Sequence, residues 1–418
     1  MLQHDLVVVG GGPAGMAAAV AAYDAGITDV VILDREPQLG GILMQCINNG
    51  FGLHKLGKEL TGPEYAAVYE EMVHSRKISV LYETMVTAVS PDKVVTARNR
   101  GGILKIQAKA VILAMGCRER SRGALNICGS RPAGVYSAGT AQKLINCMGF
   151  QPGNRVVILG SGDIGLIMAR RMSLAGAKVE AVCELLPYSG GLTRNIVQCL
   201  EDFGIPLYLS TTVVQVHGQK RVEGVTVAQV DENRRPIEET MRFIPCDTLL
   251  LSVGLIPENE LTRAAGIPMD PVTGGALVDE SCQTAIPGIF ACGNVLQVHD
   301  LVDYVSEEAE RAGIGAAGFI RGTKAPVSDD VMLTTKPGFG VRYVLPQTIR
   351  SREEDVSLFL RVTQPFGRVK FTVSDAGGVL TTVKRPKAAP GEMEKINLKA
   401  AQLANACGPI TVSLEVLE

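Results

Sequence analysis

A glycine pattern that occurs twice, each time between an apolar strand and a helix, constrains this chain most. The first copy, GGGPAG, follows a predicted strand at Asp5–Val9 and precedes a helix predicted over Met16–Ala25 and a strand over Val30–Leu33. A strand, a G-x-G-x-x-G turn, a helix and a second strand in this order are typical of a dinucleotide-binding βαβ unit. The second strand ends on Asp34, 24 positions after Gly10, near the spacing of about 20 expected for ribose recognition.

Each residue type in this first copy has a physical role. Gly10 allows the tight turn, Gly12 lets the backbone approach a pyrophosphate, and Gly15 lets the helix pack closely on the strand. The helix N-terminus offers unpaired N–H groups and the positive end of a dipole to the phosphates. The carboxylate of Asp34 can accept the hydroxyl hydrogens of an adenosine ribose. The predicted binding residues of this copy are Gly10, Gly12, Pro13, Ala14, Gly15, Asp34 and Arg35.

The second copy repeats the plan with different residues. A strand at Arg155–Leu159 precedes GSGDIG, a helix is predicted over Leu166–Ala175, and a strand at Lys178–Cys183 ends on Glu184. A carboxylate at this position favours NAD over NADP, because it would repel the 2′-phosphate of NADP. The predicted binding residues of this copy are Gly160, Gly162, Asp163, Ile164, Gly165 and Glu184.

Two such units in one chain predict a tightly held flavin dinucleotide, FAD, in one and a diffusible nicotinamide dinucleotide, NAD(H), in the other, with hydride transfer between their rings. The predicted fold class is α/β, with two Rossmann-like three-layer dinucleotide-binding domains and a small β-rich C-terminal domain. The predicted domains are an FAD domain at 1–123 and 281–324, an inserted NAD domain at 124–280, and the C-terminal domain at 325–418.

The C-terminal prediction rests on alternating apolar segments separated by turn residues. Strands are predicted at Val356–Val362, Val369–Val373 and Val379–Val383, with a closing strand at Ile410–Leu417. One amphipathic helix is predicted near Met393–Ala406.

Composition excludes several other classes of protein. Lys and Arg number 41 and Asp and Glu 43, a balance that argues against general nucleic-acid binding. The ten cysteines show no disulfide-framework or metal-ligand spacing, so we expect a reducing compartment and no metal site. The sequence has no long uninterrupted apolar run, which predicts a cytoplasmic protein without a transmembrane segment. The mean hydropathy of +0.18 favours buried interfaces with partners, and we expect an oligomer.

Two further motifs extend the pattern to a known superfamily. With AVILAMG at Ala110–Gly116 and IFACGNV at Ile289–Val295, the chain resembles the flavoproteins of the glutathione reductase and thioredoxin reductase superfamily over about residues 5–322. The superfamily usually has Asp where this chain has Asn294, whose amide oxygen can still accept a ribityl hydroxyl hydrogen. The resemblance implies further FAD-binding residues at Gly41, Ala114, Gly116, Gly293 and Asn294.

Within the superfamily, the segments Arg118–Ala124, Arg131–Gln142 and Cys292–Gly313 are similar to flavoprotein subunits of multi-component dehydrogenases and oxidases. These are the opine, sarcosine, proline and hydrogen-cyanide-forming glycine systems, with flavoproteins of anaerobic glycerol-3-phosphate dehydrogenases. The resemblance implies a partner, namely a second dehydrogenase or oxidase subunit, which acts on a small hydroxy or amino compound such as glycerol 3-phosphate.

The cysteine positions bear on the reaction type. Disulfide reductases of the superfamily carry a redox pair where this chain has Leu43 and Asn48, so disulfide reduction is disfavoured. Cys46 lies between them and is the candidate catalytic thiol of an alternative function, a self-contained NADH oxidase or peroxidase. A non-catalytic scaffold subunit is a further alternative. His299 precedes a helix predicted over Leu301–Ala312, whose N-terminus the resemblance directs toward the flavin; the other interpretation of His299 is an ordinary loop residue.

Overall fold

The computed structural model describes residues 1–323 and 332–417 and divides into two compact units. The first contains Met1–Met44, Asn49–Cys117 and Pro257–Glu418, and the second contains Gln45–Asn48 and Arg118–Ile256. Each unit contains a sheet whose central strands are parallel, with a glycine turn at the end of one of them. The predicted α/β class with two dinucleotide-binding folds is therefore confirmed.

The sheet of the first unit has its parallel strands at one end and an antiparallel hairpin at the other. The strands run in the order Ser79–Leu81, Val30–Leu33, Leu2–Val9, Gly102–Leu113, Val94–Asn99 and Met85–Val89, and Ile289–Ala291 also pairs with Gly102–Leu113. Leu6–Val9 and Val30–Leu33 are buried throughout. Parallel strands are covered on both faces, which explains why these segments are continuous apolar runs.

Two helices of the first unit pack closely and set the position of the first glycine turn. The helix Pro13–Asp24 begins with proline, which is favoured at a helix start, and it packs on the long helix Val302–Arg321. A Cβ at Gly313 would lie 2.2 Å from the Ala18 carbonyl oxygen, so only glycine allows this approach. Further helices of the unit include Gly62–Ser75 and Glu260–Ala264, and short strands pair at Asn49–Phe51 and Leu60–Thr61.

The second unit repeats the plan with a smaller sheet. Its parallel strands run in the order Val135–Ser137, Thr248–Leu251, Arg155–Leu159, Lys178–Cys183 and Leu207–Tyr208. A second sheet has the order Cys128–Gly129, Thr211–His217, Gly224–Gln229 and Arg242–Pro245. The helices are Ala138–Cys147, Asp163–Leu174 and Thr193–Cys199.

The boundaries of the second unit differ from the predicted domain at 124–280. The unit starts at Arg118 and ends at Ile256, where the short strands Cys117–Glu119 and Leu255–Pro257 pair with each other. Residues after 256 belong to the first unit because their apolar side chains, including Ile267 and Val278, join the core against its sheet.

The C-terminal segment is β-rich, as predicted, and clusters with the first unit. One sheet has the order Thr348–Ile349, Leu333–Pro337, Ile410–Val416, Val369–Asp375 and Gly378–Arg385, and the other Val341–Leu345, Val356–Val362 and Glu394–Leu398. The helix predicted over Met393–Ala406 is wrong, since its first half is the strand Glu394–Leu398 and only Ala400–Leu403 is α-helical. The predicted boundary at 324/325 lies outside the described residues.

Single 3₁₀ turns connect several of these elements. They lie at Gly41–Gln45, Arg122–Ala124, Glu201–Phe203, Glu238–Thr240 and Gly293–Val295. In the described parts of the chain, no helix combines the length and apolar character needed to cross a membrane.

Candidate functional site

The first glycine turn is a close-packed structure with one open position. Gly10 has a φ of +107°, and a Cβ there would lie 2.5 Å from the Ala114 carbonyl oxygen. A Cβ at Gly15 would lie 1.8 Å from the Gly10 carbonyl oxygen, whereas a Cβ at Gly12 would meet no atom within 4 Å. Gly10 and Gly15 therefore serve backbone packing, and the space beside Gly12, at the N-terminus of the helix, is where a phosphate group would fit.

Asp34 is fixed beside this turn at the end of its strand. Its side chain is buried, with Oδ2 accepting the Gly11 N–H at 2.5 Å and Oδ1 accepting the Glu36 N–H at 2.7 Å. Burial raises the pKa of Asp34 and these two N–H groups oppose that effect. A carboxylate has about four acceptor positions, so about two remain for the hydroxyls of a ribose. The neighbouring Arg35 is exposed.

Two segments that are distant in sequence converge on the same turn. Gly41 has a φ of +55°, and a Cβ there would lie 3.1 Å from the Gly12 Cα. Gly293 has a φ of +73°, and a Cβ there would lie 2.7 Å from the Ala14 Cβ. Most of the predicted FAD-binding residues of the first unit thus lie around one cradle, with Pro13 starting its helix and Gly116, at a φ of +72°, following the strand beside it.

Asn294 is held by a buried network that the sequence analysis did not identify. Glu308 accepts the Gly293 N–H through Oε1 at 2.8 Å and the Gln297 side-chain amide through Oε2 at 2.7 Å. The His299 Nε2 atom lies 3.4 Å from the Glu308 Oε2 atom, with both side chains fully buried. The His299 backbone N–H donates to the Asn294 Oδ1 atom at 3.0 Å. His299 is therefore no ordinary loop residue, because it joins Glu308 to Asn294.

The charge of Glu308 is stabilised locally. Burial acts to raise its pKa, but the neighbouring His299 and Arg311, with the amide of Gln297, hold the pKa below its usual value. No local sequence signal identifies Glu308 as a site residue, because its partners Gly293, Gln297 and His299 meet it only when the helix folds back on the turn.

The second glycine turn has the same geometry, but its carboxylate accepts one more hydrogen bond from the protein than Asp34 does. Gly160 has a φ of +102°, a Cβ at Gly165 would lie 2.3 Å from the Gly160 carbonyl oxygen, and a Cβ at Gly162 would meet nothing within 4 Å. The buried Glu184 accepts three hydrogen bonds, from the Ser161 N–H at 2.9 Å, the Ser161 hydroxyl at 2.7 Å and the Leu186 N–H at 2.9 Å.

The remaining predicted residues of the second turn shape a loop beside it. Asp163 Oδ1 accepts the Leu192 N–H at 2.9 Å and the Asn195 side-chain amide at 2.6 Å. Ile164 is half-buried at the start of the helix. Asp163 thus orders the loop that follows Glu184.

Cys46 does not cluster with the first unit. It lies in the segment Gln45–Asn48, which clusters with the second unit, where Gln45 donates to the Gln142 side-chain oxygen at 2.9 Å. Burial, with a smaller contribution from Cys147, raises the pKa of Cys46 to about 12. A peroxidatic cysteine needs a lowered pKa, so this environment argues against a catalytic role for Cys46.

Most of this chain matches the model of a known protein family. The model described as "Pyridine nucleotide-disulphide oxidoreductase" matches residues 4–313. This match covers both glycine turns and the Gly293–Asn294 segment. The family binds FAD and NAD(P), which confirms FAD and a nicotinamide dinucleotide as cofactors.

Individual relatives are more distant. An opine oxidase subunit from Agrobacterium tumefaciens is 27% identical over 318 residues, covering 70% of this chain and 61% of the relative. An alkyl hydroperoxide reductase subunit from Pseudomonas aeruginosa is 29% identical over 339 residues, covering 77% of this chain and 59% of the relative. This chain therefore spans about three-fifths of the length of these two relatives. Thioredoxin reductase of T. acidophilum has the same fold, with a TM-score of 0.63 at 22% identity over 76% of this chain and 99% of that one.

Proposed function

The chain belongs to the pyridine nucleotide-disulphide oxidoreductase family, and we propose that it transfers hydride between NAD(H) and FAD as the flavoprotein subunit of a multi-component dehydrogenase. The observation that carries the proposal is the pair of complete cradles in one chain. Each has an open glycine position at a helix N-terminus, Gly12 or Gly162, and a buried carboxylate beside it, Asp34 or Glu184. The bound cofactors supply the redox chemistry, because flavin and nicotinamide rings exchange hydride without a protein acid or base.

The groups of the protein bind and orient the two cofactors. The first turns of the helices that begin at Pro13 and Asp163 offer backbone N–H groups to the pyrophosphates, in the first helix from Ala14 onward because proline has none. Asp34 and Glu184 accept ribose hydroxyl hydrogens. Glu184 favours NAD over NADP, because its buried carboxylate would repel a 2′-phosphate. The oxygen of Asn294 accepts the His299 N–H at 3.0 Å and faces the His299 Nδ1 atom at 3.4 Å, so the orientation of the amide is fixed beside the Gly293 turn.

Three observations support transfer to a partner subunit rather than disulfide reduction. Leu43 and Asn48 stand where disulfide reductases of the superfamily carry their cysteine pair, and the pKa of Cys46 is raised to about 12 by burial. Two relatives are named as subunits, of an opine oxidase and an alkyl hydroperoxide reductase. The partner that we propose oxidises a small hydroxy or amino compound, such as glycerol 3-phosphate.

An anaerobic titration of the purified flavoprotein with NADH tests the proposal. We expect the visible absorbance of the flavin to bleach at one NADH per flavin, and NADPH to require a much higher concentration. A flavin that neither nucleotide bleaches would contradict hydride transfer and favour a scaffold. Rapid reoxidation by a small disulfide such as lipoamide, with no added partner, would instead contradict the assignment to a partner-dependent system.

A further inference from the structure

One of the contacts between the C-terminal β-rich segment and the cofactor-binding part of the first unit is made by an arginine. Arg361 lies on the strand Val356–Val362, and its side chain is only 13% exposed. Its Nη2 atom donates to the Val298 carbonyl oxygen at 3.0 Å and lies 3.3 Å from the Asp300 Oδ1 atom. Its Nη1 atom donates to the Pro390 carbonyl oxygen at 2.9 Å. A planar guanidinium thus joins the C-terminal sheet to residues on both sides of His299.

Asp300 is bound by the C-terminal segment through both carboxylate oxygens. Besides the contact of Oδ1 with Arg361, the Asp300 Oδ2 atom accepts the Met393 N–H at 3.3 Å. The Asp300 side chain is 9% exposed. A buried carboxylate needs such partners, because an unpaired one is costly.

His299 connects this contact to the cradle. Between Val298 and Asp300, its backbone N–H donates to the Asn294 Oδ1 atom at 3.0 Å and its ring faces Glu308 at 3.4 Å. Glu308 in turn accepts the Gly293 N–H. The Arg361 contact is therefore linked to the Gly293–Asn294 turn by the hydrogen bond from the His299 N–H to Asn294, while the His299 ring approaches Glu308 without a hydrogen bond to it.

We propose that the C-terminal β-rich segment contributes to FAD binding, with Arg361 as a positioning residue. By fixing Val298 and Asp300, Arg361 holds His299 and hence the amide of Asn294 in the orientation that binds FAD. The inference goes beyond the proposed function, since it holds for any reaction of the bound flavin. It assigns a role to a segment that lies past the family match at residues 4–313.

A merely structural arginine would join the two parts of the unit without affecting the cofactor. Arg350 offers the matched control. It also belongs to the C-terminal segment and contacts the first unit, with its Nε atom 3.2 Å from the Asp279 Oδ2 atom and its backbone N–H bound to Glu280. Neither of these contacts involves the segment from Val298 to Asp300.

The test compares Arg361→Ala, Arg361→Lys and Arg350→Ala in the full chain, as apoproteins reconstituted with FAD. We expect Arg361→Ala to weaken FAD binding by about tenfold, the effect of losing charge-assisted hydrogen bonds. It should also reduce the FAD-induced rise in Tm and alter the visible circular dichroism of the bound flavin. Arg361→Lys should restore part of each effect, and Arg350→Ala should lower the Tm of apoprotein and holoprotein equally.

Equal FAD affinity and an equal FAD-induced rise in Tm in wild type, Arg361→Ala and Arg350→Ala would overturn the proposal. If Arg361→Ala does not fold, Asp300→Asn replaces it, because this variant keeps the side-chain volume and removes the charge that Arg361 binds. Asp300→Asn should weaken FAD binding in the same direction by a smaller factor, and unchanged FAD affinity in this variant would also overturn the proposal.

Discussion

The two glycine turns share one backbone plan but differ in what encloses them. The first is approached by Gly41 and by the Gly293 turn, which Glu308 fixes from the long helix. The second is closed by the loop after Glu184, which Asp163 orders through Leu192. A dinucleotide bound in the first cradle would be held by segments from distant parts of the chain, and its release would require several of them to move. We therefore expect a resident cofactor in the first turn and an exchangeable one in the second.

The two carboxylates predicted to bind ribose also differ, and the difference again favours tighter binding in the first turn. Asp34 accepts two hydrogen bonds from Gly11 and Glu36, whereas Glu184 accepts three from Ser161 and Leu186. Since a carboxylate has about four acceptor positions, Asp34 keeps room for two ribose hydroxyls and Glu184 for about one. Two turns with identical spacing in sequence can therefore have unequal affinity for a dinucleotide.

The largest effect is expected when the open position of the first turn is filled. Asparagine is a favourable helix N-cap, so Gly12→Asn should fold, while its side chain takes the N–H groups and the space needed by the pyrophosphate. We expect FAD affinity to fall by roughly 100-fold, measured as flavin per chain after purification and by FAD titration of the apoprotein. Gly162→Asn is the matched control and should keep its full flavin content. A Gly12→Asn protein that keeps its full flavin content would contradict the assignment of FAD to the first turn.

The converse change tests the second turn. In Gly162→Asn, the flavin should stay bound but NADH should bleach it only at concentrations raised by about 100-fold, because the same helix N-terminal groups are blocked. The measurement is the anaerobic NADH titration of the flavin absorbance. Bleaching at one NADH per flavin in this variant would show that the second turn does not bind the nicotinamide dinucleotide.

A smaller effect is expected when the ribose acids are neutralised. An amide cannot accept from both sides, so Asp34→Asn conflicts with the N–H of either Gly11 or Glu36, and Glu184→Gln conflicts with its own backbone partners. We expect about tenfold weaker FAD binding in the first variant and about tenfold weaker NADH binding in the second. Glu184→Gln should also narrow the preference for NADH over NADPH, measured as the ratio of their dissociation constants. An unchanged ratio would refute the role of Glu184 in nucleotide choice.

The smallest effect is expected at Cys46. With a pKa of about 12 against 9.0 for an ordinary thiol, only about one thiol in 10⁴ is ionised at pH 8. Because the unfolded chain ionises this thiol first, its contribution to stability is constant below about pH 9 and falls as the pH rises from about 9 to about 12. Cys46→Ser should leave flavin reduction by NADH and peroxide turnover unchanged. Mass spectrometry after brief iodoacetamide treatment at pH 8 should find Cys46 unmodified while the exposed Cys128 and Cys407 react. Loss of peroxide turnover in Cys46→Ser would restore the peroxidase alternative.

Elements defined by local patterns could be predicted from sequence, because buried parallel strands are short apolar runs. Val30–Leu33, Arg155–Leu159 and Val356–Val362 have the predicted bounds. The helix prediction over Met393–Ala406 is wrong because Ile396 and Leu398 alternate with polar residues, which marks a strand, whereas the alanines that follow favour a helix. Pairing of Glu394–Leu398 with Val356–Val362 fixes the strand in the structure.

The cradle could be predicted only where its residues are close in sequence or belong to a motif. The glycine turns and their acids have fixed spacings, and Gly293 and Asn294 stand in a motif. Glu308 and Arg361 have no such signal, because they reach His299 and its neighbours from a helix and a strand that only the tertiary fold brings together.

The paired strands at the ends of the inserted unit bear on how this chain arose. Cys117–Glu119 and Leu255–Pro257 lie side by side, and neighbouring strands are about 4.8 Å apart. The Glu258 N–H donates to the Gly116 carbonyl oxygen at 3.0 Å, just outside the insertion. A unit whose two ends are adjacent can be inserted, deleted or exchanged without changing the path of the rest of the chain.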